Sequence, residues 1–427
     1  MKLTIIALAG TLAASAASVP SNVTYYKDVA PLLQSRCQEC HRSGEVAPMS
    51  FTSYDETRPW AKAIKTAVLT KKMPPWFADP HFGKFSNDRS LTQAEIDTLV
   101  AWADGGAKAG NPKESPKPRE WFAGWQIGKP DKVYELPTAI DVPATGVVDY
   151  TYVVIPTGFT QDTWIRMAEV RPGQRSAVHH IIAFIRPPGS TWLKNAEPGV
   201  PFIPKQRGGG GGGGDGLPGE LLVGYAPGLQ PTMCQPDEAK LVRAGSDIVL
   251  QLHYTPNGKA VSDRSTIGVI FANETPKRRV MTMNAMNFFI KIPPGDPNYE
   301  VHSQTTLPMD VQLVNLMPHM HLRGKDFLYK AVYPTGETQV LLSVPRYDFN
   351  WQLAYVPEKE LPLPKNTRIE CTAHFDNSAN NPANPDPTKE VRWGDQTWEE
   401  MMIGWFDVSF DADKDPAALR QQRGRSD

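Results

Sequence analysis

From residue 121 onward, the chain consists of short apolar or alternating segments separated by turn residues, and this spacing restricts the folds it can adopt. Short strands bounded by Gly, Pro and Asn clusters are typical of antiparallel sheets, and 40 prolines and 33 glycines supply the turns. The pattern predicts an antiparallel sandwich or jelly roll rather than alternating βαβ units. The clearest predicted strands cover residues 147–155, 163–169, 180–185, 248–253 and 265–271.

The N-terminal part contains a Cys-x-x-Cys-His motif, formed by Cys37, Cys40 and His41. This spacing is the signature of covalent haem attachment, in which the two thiols form thioethers and the histidine ligates the iron. A thioredoxin-like redox pair is the alternative, but an amphipathic segment over residues 25–35, rather than a strand, precedes the motif. The motif therefore predicts one covalently bound haem c.

Met73, which precedes Pro74, is the predicted sixth ligand of that haem iron. Methionine ligation raises the potential of haem iron, and the Met-Pro arrangement resembles the axial-methionine loop of small class I cytochromes c. Met49 and His81 are the weaker alternatives, because Met49 lies so close after the motif that packing explains it better.

A helix is predicted near the end of this region. Thr92 and Glu95 can form a capping box, and Gly105 can end the helix. Its apolar stripe consists of Ile96, Leu99, Val100 and Ala103. Residues 21–110 thus resemble a small, all-α, monohaem cytochrome c domain.

The ends and connections are marked by composition. Residues 1–19 have the charged, apolar and small-residue regions of a secretory signal, which predicts a periplasmic or secreted protein; a retained N-terminal anchor is the alternative. No later segment reaches the ~20 apolar residues of a transmembrane helix. Residues 111–130 are predicted to be a linker, 208–214 a glycine loop and 411–427 a disordered tail. Lys and Arg total 45 against 46 Asp and Glu, so no net charge favours nucleic acid or an anionic membrane.

Five of the nine histidines lie in three apolar, strand-like runs. His319 and His321 are two residues apart, so on a strand both side chains point the same way and can bind one metal ion. His179 and His180 are adjacent, and they can share an ion, with His253, only through a bulge or local twist. Imidazole suits Cu, Zn, Fe or Ni. Hydrogen-bonded structural histidines are the alternative.

The order and spacing of these runs, followed by Gly324-Lys325 and by Glu400-Met401, resemble the copper type II, ascorbate-dependent monooxygenases. This is the family of peptidylglycine α-hydroxylating and dopamine β-monooxygenases. The resemblance implies two consecutive all-β sandwich domains, at 131–275 and 276–410, with one copper each and a solvent-filled gap between the coppers. It assigns an electron-storing copper to His179, His180 and His253, and an oxygen-activating copper to His319, His321 and Met401.

The chain departs from that family where the peptide-amidating member holds a substrate carboxylate. The matching positions are Met317, Ile403 and Trp405, which are all apolar. We therefore expect an uncharged aromatic or aliphatic substrate. Family disulfides are largely absent, and no disulfide is predicted between Cys234 and Cys371.

The resulting prediction is a multidomain protein, with a small all-α cytochrome c domain followed by two all-β copper domains. It would hydroxylate a C–H bond of a small organic substrate with O₂, and one haem c and two copper ions would carry electrons from an external redox protein or ascorbate-like reductant. Two alternatives stay open: an electron-transfer or copper-binding protein without monooxygenase turnover, and a β-sandwich interaction module whose histidines are structural.

Overall fold

The structure is a computed structural model that describes residues 22–121, 124–204 and 220–422. The predicted signal and the glycine run lie outside these residues. The chain divides into two compact units. The first comprises the described parts of Met1–Pro74 with Arg89–Arg119, and the second comprises Pro75–Asp88 and the described parts of Glu120–Asp427.

The first unit contains the helices that precede the sandwiches. They are a π-helical turn Tyr25–Val29, α1 Ala30–Arg36, α2 Tyr54–Thr57, a 3₁₀ turn Arg58–Trp60, α3 Ala61–Leu69, α4 Gln93–Asp104 and a 3₁₀ turn Pro112–Glu114. The predicted helix is confirmed: Thr92 caps α4, Glu95 completes the capping box, and Gly105 is its C-cap. Leu99 and Trp102 are buried in the core of this unit.

The second unit is built from strands. In chain order they are β1 Lys132–Glu135, β2 Ile140–Val142, β3 Thr151–Pro156, β4 Thr163–Arg171, β5 Val178–Arg186, β6 Glu220–Tyr225, β7 Thr232–Met233, β8 Glu238–Val242, β9 Asp247–Tyr254, β10 Val261–Asp263, β11 Thr266–Phe271, β12 Arg278–Met286, β13 Lys291–Ile292, β14 Tyr299–Thr306, β15 Val311–His319, β16 Gly324–Val332, β17 Thr338–Val344, β18 Leu361–Leu363, β19 Arg368–Phe375, β20 Val391–Arg392 and β21 Ile403–Asp411. All five strands singled out in the sequence are present.

Two sandwiches share one of their sheets. The first packs β1, β11, β4 and β8 against the sheet β3-β9-β5-β6, and the second packs β12, β21, β15 and β18 against β14-β19-β16-β17. A parallel pairing of β8 with β12 joins the outer halves into one nine-stranded sheet. The two sandwiches therefore form one compact unit.

A buried charged group stabilises this junction. Lys240 on β8 is 1% exposed, and its Nζ lies 3.2 Å from Asp407 Oδ2 on β21. The same Nζ donates to the Leu221 carbonyl oxygen at 2.8 Å and to Thr282 Oγ1 at 3.0 Å. Because every hydrogen of the ammonium has an acceptor, the charge is satisfied without water.

The fold-class prediction is wrong. The structure is mostly β, with 35% strand and 12% helix, and a separate all-α cytochrome c domain is not shown. Residues 75–88, inside the range predicted for that domain, group with the strands. The physical reason is apolar burial, because Trp76, Phe77 and Phe85 pack against the core of the second sandwich.

We call residues 75–88 the strap. Its Trp76 ring lies 4.9 Å from the Tyr355 ring. The Asp79 amide donates to the Ser343 carbonyl oxygen at 2.8 Å, and the Asn87 side chain donates to the Ala354 carbonyl oxygen at 2.8 Å. These contacts fix the strap to β17 and to the segment that follows it.

The structure also differs from the predicted disordered tail. Residues Ala417–Gln422 form helix α5, and Leu419 is fully buried in the core of the second sandwich. Residues 423–427 lie outside the described part of the chain. Among the helices of the described residues, none is long and apolar enough to cross a membrane.

Candidate metal centres

The first histidine cluster consists of His179, His180 and His253. The first two lie on β5 and the third lies on the neighbouring strand β9, where His180 and His253 are directly paired. The register of this pairing shifts between Val178 and His180. This irregularity is the bulge that adjacent histidines need in order to face one ion, and it brings the three rings within 4.9 to 5.4 Å of one another.

The nitrogen atoms of this cluster have a spacing that suits one metal ion. His179 Nδ1 and His180 Nδ1 are 3.1 Å apart. Two imidazole nitrogens that bind one ion at about 2.0–2.1 Å lie roughly 2.9–3.4 Å apart, for angles from square to tetrahedral. One ligand atom from each of the three residues lies within 4.8 Å of the other two.

Burial keeps these imidazoles neutral. It lowers the pKa of His179 to about 4 and that of His253 to about 3, and it lowers the pKa of His180 well below its ordinary value. His179 Nε2 and His253 Nδ1 are buried and have no hydrogen-bond partner in the protein. A neutral buried nitrogen without a partner is costly, and an ion bound by His253 Nδ1 would remove that cost at this atom.

Tyr150 forms one wall of the first cluster. Its ring centroid lies 4.5 Å from that of His253 and 5.3 Å from that of His180. The Tyr150 hydroxyl is buried and has no partner in the protein, and burial raises the pKa of this phenol. The first cluster therefore has an aromatic wall beside it.

The second cluster consists of His319 and His321, and Met401 is its predicted third ligand. His319 ends β15, and the His319 and His321 rings lie 5.2 Å apart. Antiparallel pairing of β15 with β21 sets His319 opposite Ile403. Met401 is half-buried two residues before β21 begins. Its role as the third ligand stays a prediction.

Hydrogen bonds fix the orientation of both histidines in the second cluster. His319 Nδ1 donates to Gln352 Oε1 at 2.8 Å, and His321 Nδ1 donates to the Glu399 carbonyl oxygen at 3.2 Å. With Nδ1 protonated, Nε2 of each ring keeps its lone pair for a metal. His321 Nε2 is buried without a partner, and burial lowers the pKa of both histidines.

Glu400 anchors the turn that carries His321. Its fully buried carboxylate accepts from the backbone amide of His321 at 2.9 Å and from that of Arg323 at 2.7 Å. Burial raises the pKa of this carboxyl to about 8. The sequence pattern gave Glu400 no structural role, because its partners are backbone amides 77 and 79 residues away.

An apolar pocket connects one histidine of each cluster. Its volume is ≈ 70 Å³, whereas one water needs roughly 10–15 Å³. It is lined by His180 and His319, together with residues of both sandwiches that include Phe184, Leu229, Met317 and Trp405. Met317 and Trp405, which the family resemblance places near the substrate, both line this pocket. Ile403 is buried opposite His319.

The predicted haem residues lie together in the first unit. The His41 amide donates to the Cys37 carbonyl oxygen at 2.9 Å, which closes a tight turn around Cys40. His41 Nδ1 donates to the Met49 carbonyl oxygen at 3.2 Å, so its Nε2 keeps a lone pair. Burial lowers the pKa of His41, and the His41 ring stacks on Phe51 at 4.3 Å.

Met73, the candidate sixth ligand, lies in the same unit. Met73 is half-buried near the end of the first part of that unit, and its role as a haem ligand stays a prediction. Met49 packs against the core of the unit. His81 Nδ1 donates to Asp79 Oδ1 at 2.6 Å, and both residues belong to the strap. No disulfide joins any of the four cysteines, all of which lie in the described residues. Burial raises the pKa of the Cys37 thiol to about 12.

Two other histidines have structural partners. His302 Nε2 lies 2.8 Å from Glu300 Oε1, and His374 Nδ1 lies 2.7 Å from Asp326 Oδ1. They lie on the paired strands β14 and β19 of the second sandwich. Neither takes part in the two clusters.

Comparison with known proteins identifies no family. No family model and no curated protein matches the chain. Among solved structures, it is similar to an infectious bursal disease virus Gt strain structure, with TM-score 0.18, 10% identity, and 68% of this chain and 75% of the other covered. A VP2 subviral particle of the same virus gives TM-score 0.19, 9% identity and the same coverage. At such TM-scores the likeness supports no inference about this chain.

Proposed function

We propose that this chain is an exported haem- and copper-dependent monooxygenase that hydroxylates a C–H bond of a small organic substrate with O₂. The observation that carries the proposal is the pair of buried histidine clusters. Both contain neutral imidazole nitrogens without a protein partner, and one apolar pocket touches both. The resemblance to copper type II monooxygenases supports the same reading.

The donor atoms favour copper. A thioether is a soft ligand that suits Cu(I), so two imidazoles with Met401 fit reduced copper better than zinc. Zinc sites more often include Cys, Asp or Glu. Among the described residues, no Cys, Asp or Glu forms a three-ligand group with His319 and His321. Of the groups of three or more His, Cys, Asp or Glu in the described residues, the first cluster alone has metal-ligand spacing, and it is all imidazole.

Bound copper and haem c would supply oxygen activation and one-electron storage, with the haem held by Cys37, Cys40, His41 and Met73. The protein's own contribution is orientation. Gln352 and the Glu399 carbonyl group hold Nδ1 of the second-cluster histidines, which directs Nε2 toward the ion. Glu400 holds the backbone amides of His321 and Arg323, in the turn that leads into β16.

The lining of the pocket supports the class of substrate that we propose. Met317 and Trp405 occupy the positions of the missing carboxylate anchor, and the remaining lining is largely aliphatic and aromatic. A charged substrate would lose hydration there without gaining a partner. We therefore propose a small, uncharged aromatic or aliphatic substrate. An external redox protein or ascorbate-like reductant would supply the electrons.

The test is a single-turnover reaction under ¹⁸O₂ with the mature, chemically reduced protein and a panel of small apolar compounds. Metal analysis should first give about two copper ions and one haem per chain. Mass spectrometry should then find one ¹⁸O atom in a hydroxylated product. The variant His321→Ala should give no labelled product.

The matched control is His302→Ala, because His302 is bonded to Glu300 on a strand outside both clusters. This variant should keep its copper and its labelled product. Oxygen consumption without labelled product, in a protein with full copper and haem, would contradict the monooxygenase and favour an electron-transfer or copper-binding protein. Absence of copper would favour structural histidines.

A further inference from the structure

The residue that orients His319 belongs to an extended stretch after β17. We call residues 351–358 the Gln352 segment. The Tyr355 amide donates to the Leu316 carbonyl oxygen at 2.9 Å, and the Leu316 amide donates to the Tyr355 carbonyl oxygen at 3.0 Å. Leu316 lies on β15, three residues before His319. One edge of the Gln352 segment is therefore paired with the strand that ends at His319.

The other edge of the Gln352 segment is paired with the strap. The Ser86 amide donates to the Val356 carbonyl oxygen at 2.8 Å, and Asn87 Oδ1 accepts from the Val356 amide at 3.0 Å. The Glu358 amide donates to the Lys84 carbonyl oxygen at 2.8 Å. Successive residues of an extended chain direct their backbone groups to opposite edges. The segment therefore lies between β15 and the strap.

Aromatic packing holds the strap on this segment. Tyr355 is 1% exposed, and its ring centroid lies 4.9 Å from that of Trp76 and 5.6 Å from that of Phe85. The Trp76 and Phe85 rings are 6.0 Å apart, so the three rings form one cluster. Loss of the Trp76 ring would uncover Tyr355 and weaken the pairing of the strap with the segment.

The Gln352 segment also fixes the tautomer of His319. Gln352 Nε2 donates to the Phe349 carbonyl oxygen at 3.4 Å, so Oε1 is the atom that faces His319 Nδ1, at 2.8 Å. An oxygen acceptor at that position keeps the proton on Nδ1 and the lone pair on Nε2. Leu353, the next residue, lines the apolar pocket together with His319.

We propose that Trp76 is a positioning residue for the second metal site, because it holds the Gln352 segment against β15 and so keeps the Nε2 lone pair of His319 available to an ion. The strap lies in sequence between the two parts of the first unit. The second site therefore depends on residues that precede both sandwiches in the chain. The inference rests on the proposed function for the role of His319 as a metal ligand.

The experiment measures the tautomer of His319 in the mature, copper-free, full-length protein labelled with ¹⁵N-histidine. Long-range ¹H–¹⁵N correlation spectra at neutral pH distinguish a protonated Nδ1 from a protonated Nε2, and the spectrum of His319→Gln identifies the signals. Wild type should have its proton on Nδ1. Trp76→Ala should lower the Nδ1-protonated fraction, and Trp76→Phe, which keeps an aromatic ring beside Tyr355, should restore it.

Copper affinity is the second measurement. In a competition titration with a chelator, Trp76→Ala should weaken binding at the second site by about 10-fold and leave the first site unchanged. Asn87→Ala removes two side-chain hydrogen bonds to the Gln352 segment. It is the second variant if Trp76→Ala fails to fold, and it should change the tautomer and the affinity in the same direction.

The matched control is Phe82→Ala, because Phe82 is a strap residue that is 39% exposed, and this variant should equal wild type in both measurements. The signals of His302, which is bonded to Glu300 outside both clusters, should be the same in every variant and so show that the second sandwich stays folded. An unchanged tautomer and an unchanged second-site affinity in both Trp76→Ala and Asn87→Ala would overturn the proposal. Equal weakening of the two copper sites would also overturn it, because that result indicates a general loss of stability.

Failure of this proposal is distinguishable from failure of the proposed function. If Trp76→Ala leaves the tautomer unchanged while wild type forms the labelled product, the positioning role is wrong and the monooxygenase proposal stands. If Trp76→Ala changes the tautomer but wild type binds no copper at the histidines, Trp76 orients His319 as proposed and the metal assignment is wrong.

Discussion

The two histidine clusters reach similar ligand arrangements by different means. In the first, two paired strands and one bulge bring three imidazoles together, and the surroundings are aromatic and apolar. In the second, the end of β15, the following turn and the segment before β21 are combined, and polar groups fix each imidazole. The first site is defined by sheet register, whereas the second depends on side-chain and loop hydrogen bonds.

Under the proposed function, this difference would divide the roles of the two sites. A first site fixed by a rigid sheet would keep one geometry while it stores the electron that the proposal assigns to it. A site whose ligand nitrogens are set by hydrogen bonds has its basicity tuned by those bonds. A substitution that removes the hydrogen bonds of the second site but leaves the sheet of the first intact should therefore change metal binding at the second site alone.

Removal of a ligand should have the largest effect. His180→Ala and His321→Ala should each lower the copper content from about two ions to about one, because each removes an imidazole from a different cluster. Both should abolish ¹⁸O incorporation. Metal analysis and the product assay measure this, and loss of both coppers from either single variant would show that the clusters are not independent binding sites.

The second-largest effect is expected at the buried ion pair that joins the two sandwiches. Lys240→Met leaves the buried carboxylate of Asp407 without its cation, which should cost about 3–5 kcal/mol of unfolding free energy. Denaturant unfolding of the apo-protein measures this. Combining it with Asp407→Leu should recover part of the loss.

The control for that prediction is Lys330→Met, which breaks an ion pair with Glu370 in which Lys330 is 38% exposed. This pair should contribute at most about 1 kcal/mol. Equal losses in the two lysine variants would contradict the importance assigned to the junction.

A smaller effect is expected from the polar support of the second cluster. Gln352→Leu removes the acceptor of His319 Nδ1, and this should weaken copper binding at the second site by about 10–100-fold. The first site should be unaffected. Competition titration with a chelator measures both affinities, and Gln339→Leu, at an exposed position on β17, is the matched control.

The smallest effect is expected at Tyr150. Because its hydroxyl has no protein partner, Tyr150→Phe should change the unfolding free energy by less than about 1 kcal/mol and leave copper binding at the first site intact. Tyr254→Phe removes a hydroxyl that donates to Asp263 Oδ2 at 2.9 Å, and it should cost about 1–3 kcal/mol. A large loss of copper in Tyr150→Phe would mean that the hydroxyl supports the first site.

Local patterns were sufficient to predict the strands and the capped helix α4. The apolar run along β9 and the capping residues of α4 act within a few positions of the chain. The need for a bulge at His179 and His180 also followed from strand geometry alone, and the register shift is present.

Contacts between distant segments could not be predicted in this way. Gln352 and Glu400 lie in irregular segments. The hydrogen bond of Gln352 with His319 spans 33 residues of sequence, and that of Glu400 with the His321 amide spans 79. The strap was assigned to the haem region because it follows the haem motif in sequence. Its aromatic residues instead obtain more burial against the second sandwich.

The strap also has a consequence for synthesis of the chain. Asn87 and its partner Ala354 are 267 residues apart, and ribosomes add about 5–20 residues per second, so the strap waits roughly 13–50 s for its binding surface to be made. During that interval Trp76, Phe77 and Phe85 have no second sandwich to cover them. We therefore expect a chaperone that attends this protein during synthesis to bind the strap.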